Sequence, residues 1–146
     1  MKTLAIVILL TISSLPNIGL AQRENNIFEA NDLIESKKYN KAIPILEVLI
    51  KEESTSNLNY KLGLCYFHLN KEIEALPYLE VAIKRTTKRY KYNDTSQKSS
   101  SIDVYYYYAK SQHVYGNIII AFEFYDKFYK QANKKNPLKK KALAGI

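Results

Sequence analysis

Two histidines, His68 and His113, and one cysteine, Cys65, are the side chains in this chain best suited to ligate a metal or attack a substrate. None has the company such chemistry needs. The sequence holds no Cys-x-x-Cys pair, no His-Glu-x-x-His helix and no Gly-rich phosphate loop. Four glycines in the whole chain leave too few for a dinucleotide-binding turn. Cys65 lies in the apolar run Leu62, Gly63, Leu64, Cys65, Tyr66, Phe67 and reads as a small packing residue, with an intermolecular bridge or a reactive thiol as alternatives. Glu35, Glu47, Glu52, Glu53, Glu72, Glu74, Glu80 and Glu123 are spread over helix faces as solvated or pairing charges. The expectation is a protein without catalytic activity, metal or cofactor; a metal or haem site between His68 and His113 is the chemical alternative.

Charge and the first residues bear on partners. The chain carries a formal net charge of +8 and 13 tyrosines, a composition that nucleic-acid binders share. Its start, however, reads as an export signal: Lys2, an apolar run over 4–10, a break at Pro16 and Asn17, then the small residues of Gly19-Leu20-Ala21. Cleavage is expected between Ala21 and Gln22, so that 1–21 is a signal peptide and the mature chain has no transmembrane helix. The alternative, an uncleaved anchor, would need about 20 apolar residues. An exported chain, periplasmic or associated with the outer membrane, meets little nucleic acid. Its basic surface then suits an anionic envelope or an acidic partner.

The elements that would position any binding residues repeat. Ala42-Ile43-Pro44-Ile45-Leu46-Glu47-Val48-Leu49-Ile50 returns 33 residues later as Ala75-Leu76-Pro77-Tyr78-Leu79-Glu80-Val81-Ala82-Ile83, with six of nine positions identical. Apolar residues at helical spacing predict helices over 26–37, from Ala42 to Ile50, over 60–69 and from Ile73 to about Lys88. Pro44 falls near a helix start, where a missing N–H costs least; Pro77 predicts a late start or a slight kink. Small residues recur 12 apart in three places: Ala30 and Ala42, Gly63 and Ala75, Ala109 and Ala121. Close crossing of paired helices needs small side chains at both points. The polar stretch 86–101 delays the third pair; its first half predicts a basic helical extension, and 93–101 a mobile loop. Tyr105, Tyr108 and Tyr115 would lie towards neighbouring helices, with Tyr106 and Lys110 opposite. Residues 134–146 read as a basic tail or the beginning of a further helix.

These residues resemble the tetratricopeptide repeat family, whose unit is a helix–turn–helix of about 34 residues. Leu62-Gly63, Tyr66, Ala75, Leu79 and Ala82 match its pattern; Ala30, Leu33, Ala42, Leu46 and Leu49 match it in a first unit, and Tyr108-Ala109, Ala121, Tyr125 and Phe128 in a third. Gln112 stands where the family prefers an aromatic residue. The resemblance implies an all-α, right-handed superhelical array of about three helix pairs (an α-solenoid) over 22–133, with units 26–54, 57–88 and 102–133. It also implies a partner-binding groove lined by the first helix of each pair. The matching positions are Asn31, Ile34 and Glu35; Tyr60, Leu64, Phe67 and His68; and Tyr106, Lys110 and His113.

The order of parts is similar to the amino-terminal region of envelope proteins of Bacteroidota, in which such repeats precede a β-propeller and a peptidoglycan-binding OmpA-like domain. The sequence ends before either, so a stand-alone module or a truncated relative is expected. The function implied is a non-catalytic scaffold that binds another protein or an extended or helical peptide segment. The alternative is an envelope-anchoring element that uses its basic faces on anionic polymer or lipid.

Overall fold

A computed structural model of the chain describes residues 18–145. The expected signal segment lies largely outside them; Gly19, Leu20 and Ala21 fall in the first turns of the first helix. Among the described residues the chain is all-α, with seven helices: α1 Ile18–Glu35, α2 Tyr39–Glu52, α3 Ser56–His68, α4 Glu72–Ala82, α5 Val104–Tyr115, α6 Ile118–Gln131 and α7 Leu138–Leu143. None of these is long and apolar enough to cross a membrane. Each packs mainly against its neighbours in sequence, and α3 also touches α5.

One turn reverses the chain three times. After α1, the N–H of Lys37 bonds the Ile34 carbonyl and that of Lys38 bonds the Leu33 carbonyl. After α3, Asn70 bonds Phe67 and Lys71 bonds Tyr66; after α5, Gly116 bonds His113 and Asn117 bonds Gln112. This 5→2 and 6→1 pairing is the Schellman closure, which satisfies the last carbonyls of a helix. It requires a left-handed residue at its centre, and Lys37, Asn70 and Gly116 have φ of 57°, 58° and 99°. Gln112, which breaks the family pattern in the sequence, is buried and its Oε1 accepts from Asn117 Nδ2 at 2.7 Å, so it braces the third turn.

The next helix starts in the same way each time: the N–H groups of Ala42, Ala75 and Ala121 bond the carbonyls of Lys38, Lys71 and Asn117. Pro44 and Pro77 consequently hold the same place, the sixth residue of α2 and of α4. The late start expected at Pro77 does not occur. Gly63 marks a close crossing of α3 and α4, because a Cβ there would stand 2.6 Å from Leu79 Cδ2.

The core divides into two clusters. Ile27, Ala30, Leu46, Leu49, Leu58, Leu62 and Cys65 join α1, α2 and α3. Leu64, Leu79, Tyr105, Tyr106, Tyr108, Tyr125 and Phe128 join α3 to α6, and Ala142 of α7 enters the same cluster. The tail thus folds back as a short helix, with Asn136 Nδ2 bonded to Asp103 at the start of α5 at 2.7 Å.

Two expectations fail around the insertion. The helix predicted to reach Lys88 stops at Ala82, whose carbonyl accepts the Ser100 hydroxyl at 2.8 Å. The stretch 93–101, expected to be mobile, is tied down. Thr86 and Thr87 pair in parallel with Ser100 and Ser101, so the insertion leaves and re-enters at one point. Residues 88–99 form a closed excursion of the Ω-loop kind.

The reversal turn sets the first prediction. A non-glycine residue held at positive φ costs about 1 kcal/mol. Lys37→Gly and Asn70→Gly are each expected to raise the urea midpoint, and Gly116→Ala to lower stability by about 1 kcal/mol. A fall in the midpoint for both glycine variants would show that these turns are not strained.

Candidate functional site

The first helices of the three pairs, α1, α3 and α5, lie side by side, joined by side chains that face one another. Lys61 Nζ of α3 donates to Asn31 Oδ1 of α1 at 2.6 Å. Phe67 of α3 meets the Tyr107 ring of α5 edge-on, centroids 4.9 Å apart. At the end of α3, His68 stacks on Tyr39 at 5.0 Å and touches the edge of Tyr107 at 6.0 Å. Tyr60 completes this aromatic strip, 6.3 Å from Tyr107.

The insertion lies on this face, and we call residues 88–99 the strap. Tyr90 stands edge-on to Tyr60 at 5.9 Å, and its hydroxyl donates to Asn57 Oδ1 at 2.6 Å. The Tyr92 ring lies under Lys61, with Nζ 3.7 Å from its centroid. The carbonyl of Tyr92 accepts from Lys61 Nζ at 3.1 Å and from Asn31 Nδ2 at 3.4 Å. At the far end the Gln97 and Lys98 carbonyls accept the side-chain and main-chain N–H of Asn57, and Lys98 pairs with Glu53.

This geometry sorts the expected groove residues. Asn31, Ile34, Tyr60, Leu64 and Tyr106 are buried, Phe67 and Lys110 are half-buried, and Glu35, His68 and His113 are exposed. Asn31 and Tyr60 contact the strap directly. Tyr106, expected on the open side with Lys110, instead packs on Tyr125 and Phe128 of α6, each 5.9 Å away. Tyr115, expected to face a neighbouring helix, is 59% exposed. The two histidines have different surroundings: His113 stands against Tyr125 at 6.4 Å, away from the Tyr39–His68 stack. Among the described residues no three His, Cys, Asp or Glu side chains cluster as metal ligands would.

Four contributors escape sequence reasoning: Lys61, Asn57, Tyr90 and Tyr92. Lys61 looks like a solvated helix charge, yet it is fully buried. Tyr90-x-Tyr92 was the visible signal, an aromatic pair at alternate positions inside a polar stretch.

Electrostatics follow from burial. Lys61 has no carboxylate within hydrogen-bonding distance among the described residues, and desolvation brings its pKa down to about 7. Cys65 of α3 and Glu35 of α1 face it and oppose that fall. Burial pushes the Cys65 thiol up to about 12, which keeps it a protonated packing group. Burial also lowers the pKa of His68, helped by the positive Lys141 and Lys37 nearby. This end of the face is therefore cationic around neutral aromatic rings. No protein-family model matches the chain, and no curated protein is significantly similar to it.

The buried lysine gives stability a definite pH dependence. In the folded chain Lys61 holds its proton only below about pH 7, whereas in the unfolded chain it does so to about pH 10.4. Between these values the unfolded state binds more protons, so stability rises with pH. Tyrosines reverse the sign above about pH 10, where they ionise in the unfolded chain; in the folded chain Tyr107 is held up to about 12 by burial. Urea unfolding is expected to show stability climbing from about pH 7 to 8.5, by up to about 1.4 kcal/mol per pH unit, and levelling above that, where Cys65 ionises in the unfolded chain but stays protonated in the folded one. Lys61→Met should flatten that climb; an unaltered slope in the variant would assign it to another group.

Proposed function

We propose that this chain is a non-catalytic scaffold of three tetratricopeptide-like helix pairs that binds another protein through the face of α1, α3 and α5. The observation that carries this reading is that the face already grips a segment of polypeptide. It does so with ring sockets, side-chain amides and an ammonium aimed at a main-chain carbonyl. Those are the means by which a protein holds an irregular peptide. The threefold turn, at intervals of 33 and 46 residues, supports a right-handed superhelical stack, since identical reversals put every first helix on one side.

We place the scaffold in the cell envelope, as an exported protein with a peptide or protein partner. The uncovered part of the face, around Phe67, His68, Tyr107 and Lys110, would take up the partner's apolar residues. Lys37 and Lys141 would favour acidic residues beside them.

The test is photo-crosslinking capture from an envelope extract of the source cell, comparing the unaltered chain with Phe67→Ala/His68→Ala. Both side chains are at least partly open, so helical content should hold while capture of the crosslinked band falls at least tenfold. Capture that is undiminished in the variant would move the site elsewhere. Capture abolished by raising salt from 0.1 to about 0.5 M, in variant and unaltered chain alike, would favour adhesion through the basic surface instead.

A further inference from the structure

We propose that the strap occupies the site of the partner, and that the partner is a segment with two aromatic side chains at alternate positions leading into a turn. This rests on the reading that the face of α1, α3 and α5 binds protein. It adds the chemistry of the ligand and the competitor already in place.

Burial alternates along the strap: Tyr90 and Tyr92 are half-buried while Lys91 and Asn93 are exposed. The chain enters a turn at this point, the Asp94 N–H bonding the Lys91 carbonyl, and the two rings are set down on the same side as it does so. Each ring has a socket with a polar end. Tyr90 sits against Tyr60 with its hydroxyl on Asn57 Oδ1, and Tyr92 lies beneath the Lys61 ammonium with its hydroxyl on the Asn31 carbonyl, 3.4 Å away. Between the sockets, Lys61 and Asn31 hold the Tyr92 carbonyl, an atom that every residue of every peptide offers. Only the rings make the site selective, and an aromatic-x-aromatic peptide from another protein presents the same groups.

The strap is also built to leave without taking the fold with it. Its ends are fixed at one point by the pairing of Thr86 and Thr87 with Ser100 and Ser101, and by Ser100 on the Ala82 carbonyl. The helix pairs on either side have their own reversal turns and their own buried crossings. A tethered occupant competes at a local concentration on the order of millimolar. A partner must therefore gain contacts that the strap lacks, and the neighbouring strip of Phe67, His68, Tyr39 and Tyr107 supplies them.

A fluorescent synthetic peptide of residues 87–98 serves as the probe, titrated into the full chain and into Tyr90→Ser/Tyr92→Ser. The variant should bind the peptide at least tenfold more tightly than the unaltered chain. A peptide with both tyrosines changed to alanine should not bind, and adding Lys61→Met to the variant should remove the gain. A second variant, with 88–98 replaced by a short Gly-Ser linker, guards against misfolding of the first. If both variants lose helix content and cooperative unfolding, the strap is part of the core and the proposal falls. It falls equally if the variants stay folded and bind the peptide no better than the unaltered chain. Concentration-dependent dimerisation of the unaltered chain by strap exchange would overturn it in favour of a second copy. Should the peptide arm fail while crosslinked capture still depends on Phe67 and His68, only the strap's role is lost and the binding face stands.

Discussion

A helix that ends must give its last carbonyls to some donor, and the way this chain does so determines most of its architecture. In all three pairs the carbonyls three and four residues before a left-handed residue are taken by the N–H groups of that residue and of the next. The closure leaves little freedom in how the second helix departs. It returns antiparallel, with a buried alanine at its fourth position: Ala42, Ala75 and Ala121. Repeating one reversal three times keeps α1, α3 and α5 on one side of the molecule. The face these helices share is thus a consequence of backbone satisfaction before it is a matter of side chains.

That face then poses a problem of solvation, because Lys61 of α3 is buried beneath the strap. Burying an ammonium without a counter-charge is costly unless every donor is used. Here the donors meet an amide oxygen, a peptide carbonyl and the face of a tyrosine ring. The cost shows in a pKa brought down to about 7. A hydrophobic residue at position 61 would pack against Tyr92 with less strain on the energy balance but would leave the Tyr92 carbonyl less well held. The lysine trades stability for a polar grip on main chain, as buried polar groups do in some proteins where they fix specificity.

The same division between backbone closure and side-chain grip separates the legible parts of this molecule from the hidden ones. The nine-residue echo and the 12-residue spacing of small residues carried the helix pairs, because close crossing demands small side chains and leaves a mark at fixed positions. The turns were legible only as polar breaks: Lys37 and Asn70 adopt left-handed φ, and nothing in a lysine announces that. The expected groove residues lie on α1, α3 and α5, yet five of the ten are buried. Tyr106 failed because a tyrosine on α5 is as well suited to packing on Tyr125 and Phe128 as to lining a groove. The strap failed for a different reason. Ser, Thr, Asn and Lys dominate residues 93–101, and composition cannot separate a polar loop that floats from one whose backbone is hydrogen-bonded to a helix face. Long-range partners such as Asn57 with Gln97, or Asn31 with Tyr92, have no signature in local sequence.

The place of the insertion in the chain is what lets it act on the face at all. A loop between the two helices of a pair would emerge at the turn end, near Lys37, Asn70 and Gly116, where α2, α4 and α6 begin. The insertion instead joins α4 to α5, at the opposite end, beside Ser56 and Asn57 at the start of α3; Ser56 Oγ bonds the Val81 carbonyl there. From that point a chain of a dozen residues has the first turns of α3 directly before it. It meets Asn57, Tyr60 and Lys61 at successive helical positions, and Asn31 across the valley to α1. The length matches the reach: Tyr90 and Tyr92 run outward to the sockets, and the return through Gln97 and Lys98 re-crosses the start of α3. An insertion of the same composition between α2 and α3 would also lie at this end, but it would enter α3 from its N-cap side, where Thr55 Oγ1 already takes the Leu58 N–H. The α4–α5 connection is therefore the position from which a tethered segment can cover the valley between the first two units and leave the helix caps intact.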